Sequence, residues 1–161
     1  MIPVATISAL PVMHRVTIPA DYMDIMGHMN IMYYIHVFDR GAWGLFGSLG
    51  LNQTHIDTRR GGMFALKQHI SYLAEVHAGE TVAVRSRVLG LSKKRIHFIH
   101  FMLNETTGKL AATMEVVGSY ANLDTRRTAP FPPEIAAKLR ERVAEDAQLD
   151  WEAPVSGVLA P

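Results

Sequence analysis

Apolar residues recur along this chain with two different periods, and the change from one to the other marks out its elements. Between residues 31 and 49 the spacing is helical. Ile31, Ile35, Phe38, Ala42, Leu45 and Leu49 lie three or four residues apart, which puts them on one face of a helix beginning near Asn30. Met32, Val37, Trp43 and Phe46 widen that surface around the cylinder, so the helix is expected to be enclosed by its own domain. Gly41, Gly44 and Gly47 interrupt it, each at roughly 1 kcal/mol against alanine. They either form a smooth stripe where a sheet comes close or end the helix near Arg40; the stripe is the favoured reading.

Elsewhere the pattern is that of strands. Leu10 to Ile18 reads as a first strand, closed by a loop through Pro19, Asp21, Asp24 and Gly27. After the helix and a loop from Asn52 to Gly62, four more strands are expected at Met63 to Glu75, Glu80 to Gly90, Arg95 to Asn104 and Lys109 to Leu123. Short turns such as His77-Ala78-Gly79 and Glu105-Thr106-Thr107-Gly108 separate them, which makes neighbours antiparallel. Val82, Val84, Ser86 and Val88 alternate with Ala83, Arg85, Arg87 and Leu89, predicting one buried face and one more polar face. Pro133 starts a C-terminal helix running to about Ala147, with Ile135, Leu139 and Val143 as its apolar stripe. Gln148 to Pro161 has no periodicity and is expected to lie along the surface or be disordered. Five strands and one apolar helix inserted after the first describe an α+β domain whose curved antiparallel sheet wraps that helix.

Composition narrows the chemistry. With 161 residues and 48% apolar content, one domain covering 1–161 is expected, its core at about 10–123. Sixteen basic residues against fifteen acidic ones leave a net charge of +1, giving no general attraction to nucleic acid or to a membrane. The absence of cysteine excludes disulfides, thiolate nucleophiles and cysteine-ligated metals. Without a basic leader or an 18-residue apolar run, a cytoplasmic protein is expected.

The segment Asp21 to Tyr34, DYMDIMGHMNIMYY, holds two carboxylates, a histidine and an asparagine just before the buried helix. Asn30 suits the N-cap, which would leave the amides of Ile31, Met32 and Tyr33 without intrahelical partners and able to receive an anion. A carboxylate beside free amides offers both parts needed for acyl transfer: an attacking or water-activating group, and donors for the developing oxyanion. The plainer reading is that Asp24 caps a turn and His28 packs on the loop.

The same segment resembles the signature of the 4-hydroxybenzoyl-CoA thioesterase-like hotdog family, an aspartate followed by Gly-His-Val-Asn-Asn and a tyrosine. Asp24, Gly27, His28, Asn30 and Tyr34 fall in register with it, and the likeness continues through ISYLAEVHAGETV, Ile70 to Val82, spanning roughly Leu10 to Leu123. The resemblance implies a hotdog fold and an acyl-CoA thioesterase releasing a carboxylic acid and coenzyme A, with no cofactor beyond the coenzyme A of the substrate. It implies a homodimer joined through its sheets, often paired into a homotetramer, with active sites at the subunit interface. Asp24 matches the catalytic aspartate, as general base or nucleophile, and the amide of Ile31 matches the carbonyl-polarising donor. Ile31 replaces the family's second asparagine, which leaves its backbone N–H available. Met26 stands where related acyl-carrier-protein enzymes have an asparagine, which argues against their mechanism. A similar Gly-His-Met-Asn pattern occurs in thioesterases associated with carnitine breakdown, implying a cationic, betaine-like acyl group held by aromatic faces.

Other residues are candidates by chemistry. Lys93, Lys94 and Arg95 lie at a strand turn, near where the resembled family holds the coenzyme A phosphates, and either receive them or simply guard a sheet edge. Tyr33, Tyr34, Trp43, Phe46 and Phe64 could line an acyl pocket or fill the core. His28 could orient Asp24, bind the acyl group or pack. Asp39 is expected in a structural ion pair or helix-end contact. His97 and His100, three apart in a strand, should point to opposite faces, and no metal motif appears. Two other classes stay open: a hotdog hydratase or dehydratase, and a noncatalytic acyl-CoA-binding protein.

Overall fold

The computed structural model describes residues 2–161. Its elements in chain order are α1 (Val4–Ser8), β1 (Val12–Thr17), a 3-10 turn (Ala20–Tyr22), α2 (Ile31–Ser48), α3 (Gln53–Arg59), β2 (Gly61–Tyr72), β3 (Thr81–Leu91), β4 (Arg95–Asn104), β5 (Lys109–Asn122), β6 (Arg127–Thr128) and α4 (Pro133–Asp146). The five long strands form one sheet in the order β1-β3-β4-β5-β2, and the two-residue β6 pairs with β5. This is the hotdog fold, α+β, with a curled antiparallel five-strand sheet, the inserted helix α2 and an added C-terminal helix.

The predicted strands and both long helices are present, with no end shifted by more than three residues and β4 as expected at both ends. Besides the 3-10 turn, three elements are additional. Helix α3 occupies the expected Asn52–Gly62 loop: the Asn52 side chain accepts from the His55 amide at 3.0 Å, and Arg60 ends the helix at φ 50°. Helix α1 and strand β6 are too short to show a period.

The chain packs as two compact units, Met1–Gly44 with Ile70–Ser86 and His100–Met114, and Leu45–His69 with Arg87–Ile99 and Glu115–Pro161. Helix α2 and strands β2, β3, β4 and β5 each contribute to both. In the first unit β1 runs antiparallel to β3, with Arg15 opposite Ala83 and a register irregularity between Val12 and His14. Helix α2 lies on these strands through its glycines. A Cβ at Gly41 would collide with the Val84 side chain, and one at Gly44 with the backbone carbonyl of Met13. The stripe reading is therefore correct for two of the three glycines; Gly47 has open space around it. Phe38 stacks on His100, which also hydrogen-bonds Ser86 through Nδ1 at 2.6 Å.

In the second unit Phe46 meets Phe98 edge-on at 5.6 Å between centroids. The expected polar face of β3 is covered here. Arg87 is buried, its guanidinium 4.4 Å over the Trp151 ring and donating to the Trp151 carbonyl at 2.6 Å. Asp146 on α4 accepts from the Val88 amide at 2.7 Å and from Arg142 at 2.8 Å. Glu115, 1% exposed, accepts from His97 Nε2 at 2.8 Å and from the Ser156 amide at 2.7 Å. The tail from Gln148 is thus fixed by polar contacts, which periodicity does not report.

Two outcomes follow from this packing. Gly44→Val should lower stability in urea by about 2 kcal/mol or more, because the opposing atom is backbone and cannot turn away. Gly47→Ala should instead gain about 0.5–1 kcal/mol. Burial alone would raise the Glu115 pKa, but the Ser156 and His97 hydrogen bonds outweigh it and hold the carboxyl below its usual value of 4.5. Its contribution is present above that value and lost as pH falls through the lowered one. Urea midpoints measured downward from pH 5 should therefore fall more steeply in the parent than in Glu115→Gln.

Candidate active site

The motif segment lies in the first unit and folds as a small hairpin. Met23 and Met29 bridge antiparallel. Across the turn the Asp24 amide donates to the His28 carbonyl at 3.0 Å, and the Gly27 amide to the Asp24 carbonyl at 3.1 Å. Gly27 sits at φ 87°, a left-handed conformation that favours glycine and closes the turn. The hairpin is tied down by the Met29 amide on the Val76 carbonyl at 2.8 Å and the Asn30 amide on the Tyr22 carbonyl at 2.9 Å.

Asp24 is 17% exposed at its side chain, and its two oxygens are used differently. Oδ1 accepts from the Met26 amide at 2.8 Å, so the aspartate does cap its own turn. Oδ2 lies 3.6 Å from His28 Nδ1, and that nitrogen is also 3.4 Å from the Met29 carbonyl. One oxygen therefore fixes the rotamer, while the other faces an imidazole at ion-pair rather than hydrogen-bond distance.

Asn30 is the N-cap of α2. Its side chain accepts from the Met32 amide at 3.0 Å and its carbonyl from the Tyr33 amide at 2.9 Å. This corrects the expectation of three open amides: a side-chain cap and one tight turn occupy two of them. Among the described residues the Ile31 amide alone of the three has no partner. The surroundings are apolar and open: Ile25, Met26, Ile31 and Met32 are all exposed, Ile31 at 61%.

The remaining candidates are dispersed. Tyr33 stacks on Tyr22 at 3.7 Å between centroids, a partner that the sequence pattern did not single out. Tyr34 is core, 5% exposed, with its hydroxyl donating to the Ala74 carbonyl at 3.3 Å and its ring against Tyr72. Trp43 is twelve residues beyond Ile31, about 18 Å along the helix at 1.5 Å per residue, and the helix separates it from Asp24. Phe64, Lys93, Lys94 and Arg95 belong to the second unit. The three cations stand exposed on a turn closed by the Ser92 amide on the Arg95 carbonyl at 2.9 Å. Asp39 lies within α2, exposed and in no ion pair among the described residues, so the expected structural pairing is absent. Among the described residues no three His, Asp or Glu side chains converge as metal ligands, and no helix is long and apolar enough to cross a membrane.

The model of the thioesterase-like superfamily matches residues 18–139, which includes the whole of the hairpin and α2. The chain belongs to the thioesterase-like superfamily. By that membership it is a thioester hydrolase. It is 32% identical over 125 residues to a betainyl-CoA thioesterase of Pseudomonas aeruginosa, covering 78% of each chain. An L-carnitine dehydrogenase/betainyl-CoA thioesterase of Agrobacterium fabrum is 30% identical over 136 residues, which is 83% of this chain and 27% of that longer protein. Among solved structures, a hypothetical protein of Staphylococcus aureus in complex with CoA superposes with a TM-score of 0.83 at 24% identity, over 94% of this chain and 96% of that one. That likeness bears on the fold.

The capping role of Asn30 is directly measurable. Asn30→Ala should lower stability by about 1 kcal/mol in chemical denaturation, and Asn30→Asp should retain most of it, since a carboxylate also accepts from the Met32 amide.

Proposed function

We propose that the protein hydrolyses acyl-CoA thioesters in the cytoplasm, with Asp24 as the catalytic carboxylate. The observation that carries this reading is the division of labour at Asp24. Oδ1 is locked by the Met26 amide, leaving Oδ2 as the working oxygen on a side chain that has already lost its rotational freedom. The thioester carbonyl oxygen would rest on the unused Ile31 amide, with Asn30 holding the helix start in place and His28 orienting the carboxylate. Asp24 then either activates water or attacks the carbonyl carbon itself, the thiolate of coenzyme A leaving in both cases.

Three further elements belong to the same reading. Lys93, Lys94 and Arg95 would receive the phosphates of coenzyme A, being exposed and unpaired with carboxylates among the described residues. β2 is a long terminal strand of the sheet, with Phe64, Leu66 and Tyr72 exposed along it. Such an edge invites pairing, and we assign it to a homodimer, with association of two dimers into a homotetramer as the next step. The acyl group is proposed to be short and cationic, as in the named betainyl-CoA relatives. In such an ester the quaternary nitrogen is two bonds from the carbonyl carbon, so the carboxylate that attacks the carbon also neutralises the cation.

A thiol-release assay over betainyl-, acetyl-, benzoyl- and palmitoyl-CoA tests this. We expect turnover in the parent, fastest with the betainyl ester, and a loss of at least about 100-fold in kcat for Asp24→Asn with an unchanged melting temperature. Full activity in that variant would remove Asp24 from the mechanism. Consumption of an enoyl ester without thiol release would indicate a hydratase, and tight binding without turnover a carrier. Successive turnovers in oxygen-18 water separate the two routes, because label enters Asp24 only through an anhydride.

A further inference from the structure

A second group of chemistry-bearing side chains sits on the opposite flank of α2 from its apolar stripe. Tyr33, His36 and Arg40 follow at intervals of three and four residues and so share one helix face. Tyr22, from the turn before the hairpin, lies flat against Tyr33 at 3.7 Å and 8° and meets the His36 ring edge-on at 6.0 Å. At the other end of the row β1 passes so close that Gly44 admits no Cβ beside the Met13 carbonyl, which brings the next residue, His14, alongside the same helix. His14 feels both neighbours: burial, then Arg40 and His36, lower its pKa.

The arrangement has two features that folding alone does not require. His14, His36 and Arg40 are three basic side chains within electrostatic reach of one another, and among the described residues none is paired with a carboxylate. Asp39 lies three residues beyond His36 and adjoins Arg40 in sequence, yet among the described residues it forms an ion pair with neither. The basic group continues directly into a stacked aromatic pair whose rings stay partly exposed. A guanidinium and two imidazoles beside a flat π surface offer N–H donors next to a stacking face, which is complementary to a phosphoryl group carried on a planar heterocycle.

We propose that His14, His36 and Arg40, with the Tyr22–Tyr33 pair, form a binding site for a nucleoside phosphate. The phosphoryl oxygens accept from Arg40 and the two imidazoles, and the base lies on the tyrosine platform. Two sources carry this chemistry: the nucleotide end of the thioester substrate, and a free nucleotide. The first depends on the acyl-CoA reading above and would move the coenzyme A phosphates from Lys93, Lys94 and Arg95 to this face; the second does not.

The test is direct binding, independent of turnover. Isothermal titration of the full-length protein with adenosine 3′,5′-bisphosphate, inorganic phosphate and adenosine should give the order bisphosphate, then phosphate, then adenosine. His36→Gln/Arg40→Gln, two exposed positions, should weaken the bisphosphate at least 10-fold with an unchanged melting temperature. Tyr33→Leu should reduce the preference for bisphosphate over phosphate while leaving phosphate itself bound. Kinetics then identify the source. A rise in KM for an acyl-CoA but not for the matching acyl-pantetheine assigns the site to the substrate. Unchanged KM with lost bisphosphate binding assigns it to a free nucleotide, even if Asp24 proves uninvolved in hydrolysis. No bisphosphate binding by the parent at millimolar concentration, or equal binding by the double variant, overturns the proposal.

Discussion

The close approach of α2 to β1 and β3 is the constraint on which the first unit depends. At Gly41 and Gly44 the helix backbone comes so near the Val84 side chain and the Met13 carbonyl that no side chain can intervene. Two glycines inside a helix are unfavourable in themselves, by roughly 1 kcal/mol each. The burial that they permit offsets this: Val37 and Phe38 are almost completely enclosed. A helix pinned at that depth has its N-terminus pinned as well. Three backbone ties carry the position onward, Met29 to Val76, Asn30 to Tyr22 and Asp24 to His28. The carboxylate is therefore located by packing about three to four helical turns away, through links made by backbone groups alone.

Legibility in the sequence followed the length and regularity of each segment. Helix α2 and the five long strands repeat their pattern often enough for a period to emerge, and the Asp24 loop declared itself by the density of polar side chains before an apolar run. Helix α3 carried a usable signal, the Asn52 cap, but its seven residues contain no apolar face and end on a left-handed arginine rather than a glycine. The state of the helix N-terminus was only partly legible. Asn30 was recognisable as a cap, but how many amides a cap consumes depends on rotamer and turn geometry, which composition does not encode. Asp39 departs from expectation for a similar reason, since pairing depends on which charges another element brings within reach. Tyr34 illustrates a third limit: in register with the family motif, it is buried as core.

Polarity in the second unit was the least legible feature. Arg87, His97 and Glu115 suggest a wet sheet face, yet all three are buried, as is Asp146 of α4. Burying such groups is unfavourable unless each finds partners. Here the partners come from the C-terminal helix and tail, through the Ser156 amide, the Trp151 ring and carbonyl, and Arg142. A segment with no hydrophobic period is thus held by specific polar contacts, and strand β3 becomes buried on both faces. Alternation along a strand reports which residues share a face; what covers that face is a separate matter.

On the proposed mechanism the geometry also limits how much one chain supplies. Lowering a barrier by enzymatic amounts requires at least about 8 kcal/mol, and one oxyanion donor contributes about 3 kcal/mol. The Ile31 amide is a single donor, because Asn30 takes the next one and the tight first turn the third. The rest must come from a fixed attacking group and from exclusion of water, which strengthens every charge interaction inside a site. Asp24 meets the first requirement through its Met26 tether. The second is unmet by the isolated chain, where Ile25, Met26, Ile31 and Met32 face solvent around the reacting position. Apolar surface of this kind is uncommon on a free monomer and is covered at low cost by another apolar surface. The same constraint that fixes the carboxylate thus leaves the site open on one side, and in the proposed homodimer a second copy of the chain would close it.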